Sequence, residues 1–225
     1  MMLRYLDLDT YIVKKNNISL LLKLPTVKDT WLLNCTEGSQ FNFFNQNFKI
    51  NNLSKIIIPN LHISSISGLL GLLSTLNLIG RIKPLHIYAP IGIKYYLDLG
   101  KKYSKTNFNY MLYIHILNTG LIINQYSCRV YALGHNANYE FFIVQSEQYG
   151  TFYLDKAKSI YLLPGPLYGK LKKGSIFLFP DGFVLDGSDF TSTSILGCQV
   201  CCLLSLFYKP QFLTAVQKSR LILFR

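Results

Sequence analysis

The chain of 225 residues is predicted to adopt an α/β (α+β) fold, and three observations predict it. Residues 56–93 read as a strand, a loop, a helix and a second strand. The β-branched run Ile56, Ile57, Ile58 makes the first strand, and Pro59 stops it by fixing φ and removing a ladder donor. A polar loop over residues 60–67, an apolar helical segment over 69–78 and a strand over 85–88, closed by Ala89 and Pro90, complete the unit. Strand-like alternation recurs on both sides of it. Finally, half of the residues are hydrophobic and only 15% are charged, which excludes a disordered chain. A single domain of this length buries about 70% of its unfolded surface, so one domain over residues 1–225 is expected. In open α/β folds the loop at the carboxyl end of a strand, here residues 60–67, is the usual place for chemistry.

The other elements follow in order. Residues 3–13 alternate in part and read as a strand. Residues 18–24 and 30–35 are two more, with Pro25 to Asp29 as the turn signal between them. A helix is expected over 39–48, with Glu37 as a capping carboxylate ahead of it. Residues 93–103 have the spacing of an amphipathic helix with a basic end at Lys101, Lys102 and Lys105, a solvated face. Residues 111–117, 120–124 and 127–133 alternate as strands, and 141–145 is a further strand. His86 and His115 sit inside strand patterns with apolar neighbours and read as ordinary strand residues. Residues 176–179 and 183–185 form a hairpin, with Asp181 and Gly182 as its turn.

The formal charge of +12 favours a polyanionic partner, a nucleic acid or an anionic membrane surface. The amino-terminal stretch MMLRYLDLDTYIVKK has no basic segment leading into a continuous apolar one, and no apolar run reaches the roughly 20 residues that a bilayer requires. A non-membrane protein is therefore expected. Five cysteines, odd in number and irregularly spaced, argue against a disulfide framework, and Cys198, Cys201 and Cys202 read as buried apolar thiols. The bias toward Ile, Leu, Asn, Lys, Phe and Tyr is what an AT-rich genome writes, in an organelle or in a bacterium.

Gly68, Leu69, Gly71, Leu72, Leu73, Ser74 and Thr75, followed by Pro84, Leu85, Tyr88, Pro90 and Gly92, form a string that resembles the signature region of the tRNase Z family. Those proteins are zinc-dependent phosphodiesterases of the metallo-β-lactamase superfamily that trim the 3′ end of precursor tRNA. With the compositional bias, the chain resembles the tRNase Z-like reading frame of red-algal plastid genomes. The family carries a His-x-His-x-Asp-His metal motif in the loop. Here Asn60 stands at the first His, His62 keeps the second, and Ser64 and Ser65 replace the Asp and the third His. Trp31 to Gln40 resembles the family's Trp-Leu-Phe-Asp-Cys-Gly-Glu-Gly-Thr-Gln, with Asn34 and Thr36 as departures. His135 stands where the family keeps another ligand, ahead of a tyrosine that Tyr139 matches. The resemblance leaves His62 and His135 as vestigial metal ligands. A catalytic zinc site needs about three His or carboxylate ligands and an open position for water, so no cofactor is expected where the family holds zinc.

The segment over 148–174 resembles the family's protruding arm, including the Pro-Gly-Pro-Leu-Tyr-Gly-Lys-Leu-Lys-x-Gly string matched from Pro164 to Gly174. In the family the arm grips tRNA away from the chemistry. By that resemblance Lys156, Lys158, Lys170, Lys172 and Lys173 would neutralise phosphates and Tyr153 and Tyr168 would stack. Gly165, with Pro166 beside it, and Gly169 would let the backbone approach. Leu167 and Leu171 are an i, i+4 apolar pair that packs instead. From Gly197 the likeness fades: the bridging Asp of the family falls near Leu204 and Ser205, and the last third of the family's chain, with its final His, has no counterpart.

The resemblance therefore implies a truncated metallo-β-lactamase-type αββα sandwich with a protruding arm. The function expected is that of a catalytically degenerate tRNase Z homologue, without catalytic residues, that retains binding of tRNA, precursor tRNA or a partner subunit. That partner would be a second copy or a competent tRNase Z, and the compartment a plastid. Two alternatives stand beside it: an active zinc-dependent endoribonuclease with substitute ligands, and an eroding reading frame without function.

Overall fold

Ile56 and Ile57 end a strand in the middle of a six-stranded sheet, where both faces must be apolar, and Ile56, Ile57 and Ile58 are fully buried. The computed structural model describes the backbone of residues 4–5, 14–15, 19–24, 29–45, 49–125, 128–135, 137–146, 149–192, 198–203 and 220–224. The chain divides into two compact units, Met1–Ile143 with Gln199–Arg225, and Val144–Cys198.

In chain order the first unit contains β1 (Arg4–Tyr5), β2 (Lys14–Lys15), β3 (Leu20–Leu24), β4 (Asp29–Leu33), α1 (Ser39–Asn45) and β5 (Leu53–Ile57). It continues with α2 (Ile63–Ile66), α3 (Leu69–Leu78), β6 (Leu85–Ala89), α4 (Ile93–Ser104), β7 (Leu112–Ile116), β8 (Gly120–Gln125), β9 (Cys128–His135) and β10 (Asn138–Gln145). The second unit supplies α5 (Leu154–Ser159), α6 (Pro166–Lys172), β11 (Ile176–Leu178) and β12 (Val184–Asp186), after which β13 (Cys198–Leu203) and β14 (Arg220–Phe224) close the chain.

One sheet has the order β1-β3-β4-β5-β6-β7 and the other β2-β14-β13-β10-β9-β8. In the first, β3 and β4 are antiparallel, while β4, β5, β6 and β7 run parallel through helical crossovers. One face packs on α3, which buries Leu69, Leu72, Leu73 and Leu76 at i, i+3, i+4 and i+7. Each such side chain contributes about 1.5–3 kcal/mol. The opposite face, with Trp31, Leu33 and Ile57, is as dry, apart from Lys55, whose ammonium lies 4.7 Å from the Trp31 ring centroid.

Most expected elements are present within a residue or two. The loop expected over 60–67 contains a helical turn, α2, because His62 caps it. Glu37 is exposed and stands outside the first turn of α1; the Ser39 hydroxyl, bonded to Thr36 O, closes that turn instead. Of the strand expected over 3–13 only Arg4–Tyr5 is described. Leu204, Ser205 and the end of the helix expected over 39–48 lie outside the described residues. Cys202 is a buried free thiol, as expected; the side chains of Cys198 and Cys201 lie outside the described residues.

In the second unit α5, α6 and the β11–β12 hairpin close on Ala157, Leu171, Leu185 and Phe190. The hairpin turn is as expected: Gly182 N–H donates to Phe179 O at 2.9 Å, Gly182 takes φ 82°, and Asp181 Oδ1 accepts from Phe183 N–H.

Candidate functional site

The loop that leaves β5 is where the sequence places chemistry, and its polar groups close on one another. Asn60 Oδ1 accepts from the Ser65 hydroxyl at 2.7 Å and from the His62 N–H at 3.2 Å. His62 is the N-cap of α2: its Nδ1 accepts from Ser64 N–H at 3.3 Å and lies 2.8 Å from Ser64 Oγ. Both Ser64 groups can donate at once only when Nδ1 carries the lone pair, which assigns the ring proton to Nε2. The loop is also clamped from behind. Cys35 N–H donates to Ser65 O at 3.0 Å, and Gly68 N–H donates to Cys35 O at 3.1 Å. A Cβ on Gly68 would sit 2.0 Å from Thr36 O, so only glycine allows the start of α3 to lie this close to the turn after β4.

The clamp stands on a buried set of hydroxyls that no spacing in the sequence announces. Ser19 Oγ lies 2.7 Å from Thr36 Oγ1 and 3.2 Å from Ser39 Oγ, and it accepts from Thr36 N–H at 3.1 Å. Burial pushes the Cys35 thiol up to about 12, against the opposing pull of its Ser39 hydrogen bond, so it is an inert packing group. Asn34 takes φ 63° as it turns out of β4, a conformation that asparagine tolerates, and its N–H donates to Ile57 O at 2.9 Å.

The turn after β9 reaches the same loop. Tyr139 N–H donates to Pro59 O at 2.9 Å, and the Tyr139 hydroxyl donates to Leu117 O at 2.8 Å. The backbone of His135 ends β9, one turn before Tyr139; its side chain lies outside the described residues.

These donors do not fit zinc. Asn60 and His62 Nδ1 are already acceptors within the loop, Ser64 and Ser65 are neutral hydroxyls, and the Nε2 of His62 carries a proton in the assigned tautomer. Among the described residues no group of three His, Cys, Asp or Glu side chains gathers as a ligand set.

A second histidine arrangement was not visible in the sequence. Parallel register sets His86 of β6 beside Tyr113 of β7 and Tyr88 beside His115. His86 Nδ1 lies 3.0 Å from His115 Nε2, and the rings of His86, His115, Tyr113 and Tyr88 stack at 4.5–5.3 Å. Burial, then His115, then Lys55 hold the His86 imidazolium below the usual histidine range. The two strands were legible, but the register that sets His86 diagonally opposite His115 was not.

In the second unit, α5 complements its dipole with Asp155 in the first turn and Lys156 and Lys158 in the last, and Pro166 takes the N1 position of α6. Lys158, Lys170, Lys172 and Lys173 are exposed, as are Gly165, Pro166 and Gly169. Two of the expected residues also have internal partners. Tyr168 is half-buried: it packs 4.9 Å from Phe152, and its hydroxyl donates to Leu162 O at 2.5 Å. Lys156 is exposed but tied, its Nζ donating to Asp189 O at 2.8 Å and lying over the Phe190 ring at 5.7 Å. Leu171 is fully buried and Leu167 half-buried, the packing pair expected. Gly165 is extended, and a Cβ there would meet only Leu163 O at 3.9 Å; at Gly169, inside α6, it would meet nothing within 4 Å.

No family model matches the chain. Single relatives do. The ycf56 protein of Pyropia yezoensis is 40% identical over 181 residues, which cover 79% of this chain and 69% of that protein. Ribonuclease Z of Acaryochloris marina is 33% identical over 209 residues, covering 92% of this chain and 66% of that protein. The chain belongs to the ribonuclease Z family. Its two sheets, with α1 and α3 packed together on one side, are the metallo-β-lactamase-type arrangement that family membership implies. The human short-form tRNase Z crystal structure matches with a TM-score of 0.48 and 23% identity, over 56% of this chain and 57% of that one.

Proposed function

We propose that this chain is a catalytically degenerate tRNase Z homologue that keeps binding of tRNA or precursor tRNA through its second unit. The observation that carries the first half is the closed set Asn60–Ser65 and His62–Ser64: the replaced positions are hydrogen-bonded within the loop and its helix cap, and no ligand set gathers among the described residues. The second half is supported by Lys158, Lys170, Lys172 and Lys173, exposed and without a carboxylate between residues 156 and 174. It is also supported by Gly169, which stands mid-helix, about 1 kcal/mol worse than alanine, with open space where a Cβ would go. A position that gives up helix stability for no internal contact suits close approach by an outside backbone.

A heterodimer with a competent tRNase Z would supply the metal site that this reading denies the chain, whereas a homodimer would add only a second copy of the lysine-rich unit. A plastid is the compartment proposed, on the AT-rich composition and the likeness to the ycf56 proteins of Pyropia yezoensis and Porphyra purpurea. Among the described residues no helix is long and apolar enough to cross a membrane.

The test is binding of a folded tRNA transcript across a salt series. Replacing Lys170, Lys172 and Lys173 with Ala should weaken binding and lower the slope of log K against log salt by about 0.7 to 0.9 per lost phosphate contact. Unchanged affinity and slope would remove the arm from the proposal.

A further inference from the structure

The end of α5 carries a residue that its own fold does not ask for. Tyr161 N–H donates to Lys158 O at 3.0 Å and Leu162 N–H donates to Ala157 O at 3.1 Å. This pair of bonds is a Schellman closure, whose residue after the C-cap takes the left-handed conformation that glycine adopts freely. Here that residue is a tyrosine, with φ 59°. Leu162, the next residue, packs on the core around Ala157 and Leu171, which supplies the apolar contact that usually locks such a closure. The ring of Tyr161 adds nothing to that lock, because Tyr161 is 93% exposed. A bulky side chain in left-handed backbone, displayed to solvent, is a local cost without a local return.

Its surroundings indicate what the ring meets. Residues 156–174 hold five lysines and no carboxylate, and Lys158 is exposed one turn before Tyr161. Of the two tyrosines expected to stack, Tyr168 is committed to Phe152 and Leu162, while Tyr153 is 49% exposed. An exposed aromatic among unpaired cations suits a base whose phosphates the cations neutralise. We propose that Tyr161 is a base-stacking residue, offering its ring to an unstacked base or to the open face of a terminal base pair in a folded RNA. This rests on the reading of the second unit as RNA-binding and adds to it a residue that recognises something other than phosphate.

The experiment compares the full chain with Tyr161→Gly, with Tyr161→Phe and with the triple lysine variant. It measures affinity for a folded tRNA transcript over a salt series, thermal unfolding without RNA, and self-association by light scattering. Tyr161→Gly should unfold at a higher temperature, because glycine accepts the backbone, and should bind RNA about 5- to 150-fold more weakly. Its salt slope should stay that of the wild type, since no phosphate contact is lost, whereas the lysine variant's slope falls. Tyr161→Phe should keep the affinity. Wild-type affinity in Tyr161→Gly beside a weakened lysine variant overturns the stacking role and leaves the arm reading intact. No RNA binding by the wild type, or an unaltered lysine variant, overturns both. A loss of affinity accompanied by a lower unfolding temperature assigns Tyr161 a structural role and overturns the proposal. So does loss of self-association with RNA affinity unchanged, which would give the ring to a protein contact.

Discussion

The loop over residues 60–68 and the segment over 154–174 treat their polar and irregular residues in opposite ways. In the loop, Asn60, His62, Ser64 and Ser65 bond one another, and Gly68 is demanded by Thr36 O at 2.0 Å from its would-be Cβ. Each choice there has an internal reason. In the segment, Tyr161 takes φ 59° and Gly169 sits inside a helix, while Lys170, Lys172 and Lys173 are exposed. Those choices have no internal reason among the described contacts. The loop satisfies its polar groups internally, whereas the segment displays locally unfavourable residues, which is the ground for the binding role proposed for it.

The contrast can be broken at four points. Gly68→Ala should have the largest effect, since the new Cβ meets backbone rather than a movable side chain: a loss of about 3 kcal/mol or more, measured by urea unfolding. Placing His, Asp and His at positions 60, 64 and 65 comes next. Ser65 is 4% exposed, so an imidazole there overpacks the clamp, and stability should fall by about 1–3 kcal/mol with no gain of precursor cleavage. Recovery of chelator-sensitive cleavage in that variant would mean that the loop remains poised for metal. Gly169→Ala should move in the other direction, stabilising by up to about 1 kcal/mol while weakening RNA binding; a gain in stability with affinity intact would return Gly169 to chance.

The smallest effect concerns pH. Because His86 is harder to protonate in the fold than in the unfolded chain, the folded state binds fewer protons, and stability rises with pH. The loss should set in as pH falls below about 6.5, the unfolded value, and deepen until His86 protonates in the fold. His115, Lys55 and the Tyr88 and Tyr113 rings are the groups that face it. Unfolding curves between pH 5 and 8 for the wild type and His86→Phe would read this, and a slope unchanged by the substitution would remove the pair as its source.

Much of the fold was legible. The Ile56 run, the apolar spacing of α3, the basic end of α4 and the Asp181–Gly182 turn are local signals that became the elements they announce. Membership of the ribonuclease Z family was legible as well, from the string that begins at Gly68. What was not legible depends on register and on contact. The His86–His115 pair needs the alignment of β6 with β7. The Ser19 hydroxyl meets those of Thr36 and Ser39 from 17 and 20 residues away. Tyr168 and Tyr161 look alike in sequence, seven residues apart; only the packing of Phe152 and Leu162 leaves one half-buried against the core and the other exposed.

The central claim, binding without chemistry, is tested most directly by incubating the full chain with a precursor tRNA carrying a 3′ trailer, in zinc and in chelator. Complex formation is read by anisotropy and the trailer by gel. The account predicts a complex that forms equally in both conditions, is lost in the triple lysine variant, and releases no trailer in either. Trailer release in zinc that disappears with chelator and with His62→Ala would contradict it.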